Sequence, residues 1–141
     1  MLTAIVNLLR GYTTGFNDYE RAILVAVAEK LPPAAKARFN NRISALRMIQ
    51  RHGGGQEVIG YQKLQGKIVF PEETRLSTDN GDVVLASFRV YSKSPMSALK
   101  GKLWLGHGNF CILEFNKPAE HAEAEEIERI AVELGPLFLP V

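Results

Sequence analysis

GKLWLGHGNFCILEFNKP, residues 101–118, decides how the rest of the chain is read. Two apolar runs, 103–105 and 110–115, flank Gly106-His107-Gly108-Asn109. Glycine and asparagine take positive φ at little steric cost, so this spacing predicts a β-hairpin with its turn at the Gly-His-Gly-Asn segment. The stretch also holds the single Trp, the single Cys and one of the three His, which makes it the first place to look for chemistry.

Upstream of the hairpin the apolar residues keep a period of two. In 82–92, Val84, Ala86, Phe88 and Val90 fall on one face and Val83, Leu85, Ser87, Arg89 and Tyr91 on the other. Ser87 and Arg89 mark the second face as partly wet or turned toward a cleft. The segment 93–100 reads as a connection because Pro95 lies in it. Residues 57–64 and 67–70 are strand-like, with Gly66 as a turn or bulge between them, and Asp79-Asn80-Gly81 is a turn signal. Four or five antiparallel strands in succession follow from this pattern.

Both flanks read as helical. Leu2, Ile5, Val6, Leu8 and Leu9 fit a short amphipathic helix stopped by Gly11 and Gly15. Asn17, three residues before Glu20, forms a capping-box pattern for a helix running to about Leu31. Its middle, AILVAVA at 22–28, is apolar nearly all round, which suits a central helix or one covered by another subunit. Leu31-Pro32-Pro33 ends it. A second helix is expected over 34–52, with Ala35, Phe39, Ile43, Leu46 and Ile49 as its buried stripe. On a helical wheel Lys36, Arg47 and Arg51 share one flank of that stripe, Arg38 and Arg42 the other. Gly53-Gly54-Gly55 reads as the helix cap and a turn into the sheet; with no Lys-Ser/Thr after it, the phosphate-loop pattern fails. A last, acidic helix is expected from Lys117-Pro118 to Gly135-Pro136, burying Ile127, Ile130, Ala131 and Leu134.

These elements predict a single α+β domain over 1–141: an antiparallel sheet of four to five strands, with N-terminal helices and a C-terminal helix packed on one face. The layout is similar to that of many small bacterial domains, and no motif carries a family assignment. At 141 residues, 46% hydrophobic and 23% charged, the chain is long enough to bury a real core, and a disordered or fibrous protein is excluded. A formal net charge of +2 is too small to argue for nucleic acid by itself. One Cys excludes an internal disulfide and fits a reducing compartment. The apolar start has no basic residue before it and no clear cleavage site, and no window reaches about 18 consecutive apolar residues. The expectation is therefore a cytoplasmic protein with neither leader nor membrane span.

His107, Cys111 and Glu114 are the nearest approach to a reactive cluster. A Cys–His pair needs the imidazole within reach of the sulfur; strand alternation instead puts Cys111 on the face of Leu113 and Phe115, as a small buried hydrophobe. Glu114, sharing the other face with Phe110 and Ile112, is expected to pair with Arg89 or Lys102. His52, His107 and His121 are scattered and no CxxC or HxxxH occurs, so neither a metal nor a cofactor is expected. Trp104 and Tyr91 are candidates for an aromatic contact surface. With no catalytic motif in view, three functions stand. The first is a non-enzymatic protein-binding or homo-oligomerising module. The second is a nucleic-acid or anion binder that uses Lys36, Arg47 and Arg51 on the 34–52 helix. The third is a small-ligand binder or enzyme with a cleft near His107, Glu114 and Arg89.

Overall fold

The structure is a computed structural model and describes residues 12–93, 98–120, 122, 126–137 and 139–140. The expected helix over 2–10 lies outside the described residues. The chain begins with a short strand β1 (Tyr12–Thr13), then helices α1 (Asp18–Lys30) and α2 (Pro33–Ala45). Strands β2 (Met48–His52), β3 (Glu57–Tyr61), β4 (Lys63–Leu64) and β5 (Lys67–Ile68) follow, and then a 3-10 turn at Glu72–Thr74. The chain continues through β6 (Val83–Ser92), β7 (Leu99–Gly106), β8 (Asn109–Phe115) and β9 (Ile127–Leu134).

Seven strands form one fully antiparallel sheet in the order β1-β2-β3-β8-β7-β6-β9, and β4 and β5 make a separate small hairpin. The class is the α+β one that direct strand-to-strand succession implies, with a wider sheet than expected. Both helices cover the same face. Ile23, Leu24, Val27 and Ala28 of α1 and Ala35 and Phe39 of α2 are buried against Val58, Phe88, Leu103, Phe110, Leu113 and Phe115 in one continuous core. Phe110 meets Phe39 at 5.4 Å between ring centroids, and Phe88 meets Phe115 at 5.5 Å. Each such side chain contributes on the order of 1.5–3 kcal/mol by leaving water.

The β7–β8 hairpin forms around a two-residue turn. His107 (φ 48°) and Gly108 (φ 77°) both take positive φ between the paired Gly106 and Asn109, the backbone of a type I′ turn. The segment after β5 folds over this turn. Leu76 N–H donates to the Gly108 carbonyl at 2.7 Å, Thr74 Oγ1 to Asn109 Oδ1 at 2.5 Å, and Asn109 Nδ2 to the Pro71 carbonyl at 3.0 Å. The capping box also forms: Asn17 Oδ1 accepts from Glu20 N–H at 2.8 Å, and Glu20 Oε1 accepts from Asn17 N–H at 2.9 Å.

Three expectations are corrected. The expected C-terminal helix is β9, paired along β6 from Ala86↔Leu134 to Ser92↔Ile127. Ile130 and Leu134 suit either period, but Val132 fits only the period of two that places Ile130, Val132 and Leu134 opposite Val90, Phe88 and Ala86. The second long helix ends at Ala45, where Leu46 turns extended, and its supposed last turns are β2. Gly53-Gly54-Gly55 accordingly belongs to the β2–β3 hairpin loop, with φ of 61°, 66° and 82°, rather than to a helix cap. The third concerns faces. β8 pairs with β7 through a bulge beside Cys111, so Phe110, Leu113 and Phe115 all point into the core while Cys111 is only half-buried.

Candidate functional site

An antiparallel sheet can cover one face with helices and leave the other to solvent. The open face here is organised by the register into rows. One row is apolar: Ile59, Ile112, Trp104 and Val84 are successive cross-strand neighbours, all half-buried. Tyr12 and Tyr61 meet edge-to-face at 6.0 Å near its far end. The next row is charged, running His52, Glu57, Glu114, Lys102, Ser87, Glu133. Beyond it Lys100 stands opposite Arg89, and Arg89 opposite Ala131.

The small side chains of Ser87 and Ala131 leave a depression of about 710 Å³ among the longer ones. Arg89, Lys100, Lys102, Tyr91, Glu114 and Glu133 line it. Arg89 and Lys100 are both exposed, directly opposite each other, and neither forms an ion pair among the described residues. Like charges facing across a strand pair repel, at a cost of up to about 1 kcal/mol. Lys100 is held in register at its backbone, its N–H donating to Asn116 Oδ1 at 3.1 Å and its carbonyl accepting from Asn116 N–H at 2.8 Å.

Glu114 meets no cation among the described residues, so the expected pairing with Arg89 or Lys102 does not form. Its Oε1 instead accepts from the Trp104 indole N–H at 3.4 Å, and the Lys102 ammonium lies 5.9 Å from the Trp104 ring centroid. Across β3 its direct neighbour is Glu57. The open face is therefore two-signed, with a cation pair at Arg89 and Lys100 and an acid pair at Glu57 and Glu114.

The other expected residues go elsewhere. His107 sits at the opposite end of β7, exposed in the turn, its ring tilted 45° against Phe70 at 4.7 Å between ring centroids. Lys36 lines a groove of about 270 Å³ between α1 and α2, with Val25 and Asn40. Arg47 is exposed in the link between α2 and β2. Arg51 lies on β2, where its Nε donates to Glu20 Oε2 at 2.8 Å and Nη2 to Glu20 Oε1 at 2.6 Å, with Thr13 Oγ1 on Nη1 at 2.7 Å. Lys36, Arg47 and Arg51 thus share no face, because the helix that would have aligned them stops at Ala45.

One buried and one half-buried group complete the electrostatics. Arg42 is fully buried; it donates to the Phe110 carbonyl at 2.9 Å, Gln62 Oε1 at 2.9 Å and the Val69 carbonyl at 3.2 Å. Burial lowers its guanidinium to about 10, so it stays charged at neutral pH. The Cys111 thiol donates to the Trp104 carbonyl at 3.7 Å, and burial pushes it up to about 11 against the pull of Arg42. A thiol so held is a poor nucleophile at neutral pH. Among the described residues no three His, Cys, Asp or Glu side chains converge as metal ligands, and no helix is long and apolar enough to cross a membrane.

Sequence reading missed Lys100, Glu57 and Arg42. Lys100 falls in the stretch 93–100 that Pro95 marks as a connection, although the spacing Leu99, Gly101, Leu103 against Lys100, Lys102 carries the period of two. No local signal marks Arg42 as the buried one among its basic neighbours. No protein-family model, curated protein or solved structure matches the chain.

Proposed function

We propose that the chain is a non-enzymatic binding module whose working surface is the open face of the sheet, with Arg89 and Lys100 receiving a carboxylate of a protein partner. The observation that carries this reading is the exposed, unpaired Arg89–Lys100 pair at the rim of the depression. A like-charge pair placed directly opposite costs stability, and an incoming anion removes that cost. The apolar row Ile59, Ile112, Trp104 and Val84 supplies the desolvated area that affinity needs, and Tyr91 adds an aromatic contact at the rim. The two-signed face favours a protein segment over nucleic acid. A phosphate backbone tracking the sheet meets Glu133, Glu114 and Glu57 as well as the cations, whereas a protein segment can set basic side chains against these acids.

The test is titration of the isotopically labelled protein with a hexaglutamate peptide, read by amide chemical shifts, beside a single-stranded oligonucleotide of similar charge. Shifts confined to residues around Ser87, Arg89, Lys100 and Lys102, removed in Arg89→Gln/Lys100→Gln, are expected. Tighter binding of the oligonucleotide, or shifts centred on Lys36 and Arg47, would overturn the reading.

A further inference from the structure

β9 ends the sheet order, pairing with β6 along one edge while its other edge meets no strand among the described residues. An exposed edge of this length is a template for another strand, and proteins commonly protect such edges with proline, strong twist or inward charge. Within the regular stretch 129–134 there is no proline and no charge on the helix side, where Ile130, Val132 and Leu134 sit and α1 packs against the strand; the charges Arg129 and Glu133 stand on the open face. The irregularity in the β6–β9 register falls before it, between Ile127 and Arg129, and the first proline comes after it, at Pro136.

We infer that two copies of this chain join antiparallel along β9, about a two-fold axis through Ala131, to give one continuous fourteen-stranded sheet from two seven-stranded ones. The register follows from the side chains. Directly opposed residues in an antiparallel pair point to the same face, so a partner that keeps both helix layers on one side must set open-face residues against open-face residues. On β9 these are Arg129, Ala131 and Glu133, opposite Tyr91, Arg89 and Ser87 of β6. A two-fold through Ile130 puts Arg129 against Ala131 and leaves Glu133 against Ile127. One through Val132 puts Arg129 against Gly135 and Glu133 against Ala131. Only the axis through Ala131 sets Arg129 against Glu133 of the second copy, and does so twice by symmetry. On the helix side the same axis sets Ile130 against Val132, both packed on the core edge of their own chain.

Arg129 is exposed on the open face with its guanidinium over the Tyr91 ring of β6, 4.1 Å from the centroid, and pairing with Glu133 of the second copy turns that guanidinium from β6 toward the new strand. Ala131, central and small, lets the two strands meet without a clash at the axis. Ala131 and Glu133 also line the depression, so dimerisation sets the two Arg89–Lys100 sites on one face, flanking the axis. A partner with two acidic segments would then engage both.

The experiment is sedimentation equilibrium of the full chain across a dilution series, with the charge-reversal variants Arg129→Glu, Glu133→Arg and the double reversal. The expected results are a species of twice the 15.6 kDa chain mass, a dissociation constant raised roughly tenfold or more in each single variant, and recovery in the double. Circular dichroism establishes that each variant is folded. For the unsubstituted chain, amide exchange along β9 should quicken on dilution while that of β7 and β8 stays slow. A monomer at every concentration overturns the inference. So does a dimer that neither single reversal weakens, or one that the double reversal fails to restore. The hexaglutamate titration is read at amides of β6 and β7 and does not depend on dimerisation, so the two proposals fail separately.

Discussion

At the scale of single residues, the contacts that decide this molecule join positions far apart in sequence. Asn17 and Glu20 are legible as a capping box because both partners lie within one turn. That the same Glu20 is buried and holds Arg51 through two hydrogen bonds is not legible, since 31 residues separate them and basic side chains near Arg51 look alike in sequence. Removing one partner of a buried ion pair leaves the other charge without solvent, at a cost of about 3–5 kcal/mol. Arg51→Ala is therefore expected to lose stability on that scale in urea unfolding, and Arg51→Lys to recover little, because an ammonium cannot reproduce the two-pronged geometry. A loss below about 1 kcal/mol would mean that Arg51 is a surface cation after all. Cys111 gives a pH signature. Its thiol is raised to about 11 by burial, so the stability it contributes is fully present below the usual thiol range and is lost as pH rises through about 11. Alkylation of the native protein at about pH 8 should be much slower than that of the unfolded chain and should accelerate toward pH 11. Equal rates at about pH 8 would show the thiol to be exposed.

At the scale of elements, legibility tracks how local the deciding interaction is. The β7–β8 hairpin is readable because turn chemistry and alternation agree within 18 residues. β9 is not readable. Its glutamates favour helix, two of its apolar residues satisfy both periods, and the choice is made by β6, some forty residues earlier, whose Phe88 and Val90 need cross-strand partners. The end of α2 is hidden in the same way, since Leu46 and Ile49 continue a helical stripe by coincidence while β2 pairs with β3. The bulge at Cys111 inserts one residue into β8 and thereby moves Phe110 to the core face, a shift that alternation counting cannot foresee. The turn itself offers a sharp test. A side chain at Gly108 would place its Cβ 2.5 Å from the Ser77 carbonyl oxygen in a left-handed backbone. Gly108→Ala should cost about 2 kcal/mol or more in the unfolding midpoint, whereas His107→Asn, which tolerates the same φ, should cost little. Equal small effects would mean that the 70–82 segment does not clamp the turn.

At the scale of the whole molecule, the sheet has one face committed to the helices and one face that no helix covers among the described residues. The α+β class and a wet second face at Ser87 and Arg89 are readable from the succession and alternation of strands; the full lining of the site is not, because the expected C-terminal helix stands in place of the strand that flanks the depression. With β9 in place, Arg89 and Glu114 come to one site and His107, Lys36, Arg47 and Arg51 go to four others. The central claim is that Arg89 and Lys100 are kept opposite and unpaired at a cost in stability so that an anion can join them. Lys100→Glu separates stability from binding, because it replaces the repulsion by an attractive cross-strand pair and closes the site. The decisive measurement is the thermal midpoint of the unsubstituted chain and of Lys100→Glu, each with and without hexaglutamate. Without peptide the variant should be the more stable, by roughly 0.5 kcal/mol. With peptide only the unsubstituted chain should rise, as binding to the folded state requires. A variant that is less stable, or that rises with peptide as the unsubstituted chain does, would contradict the account.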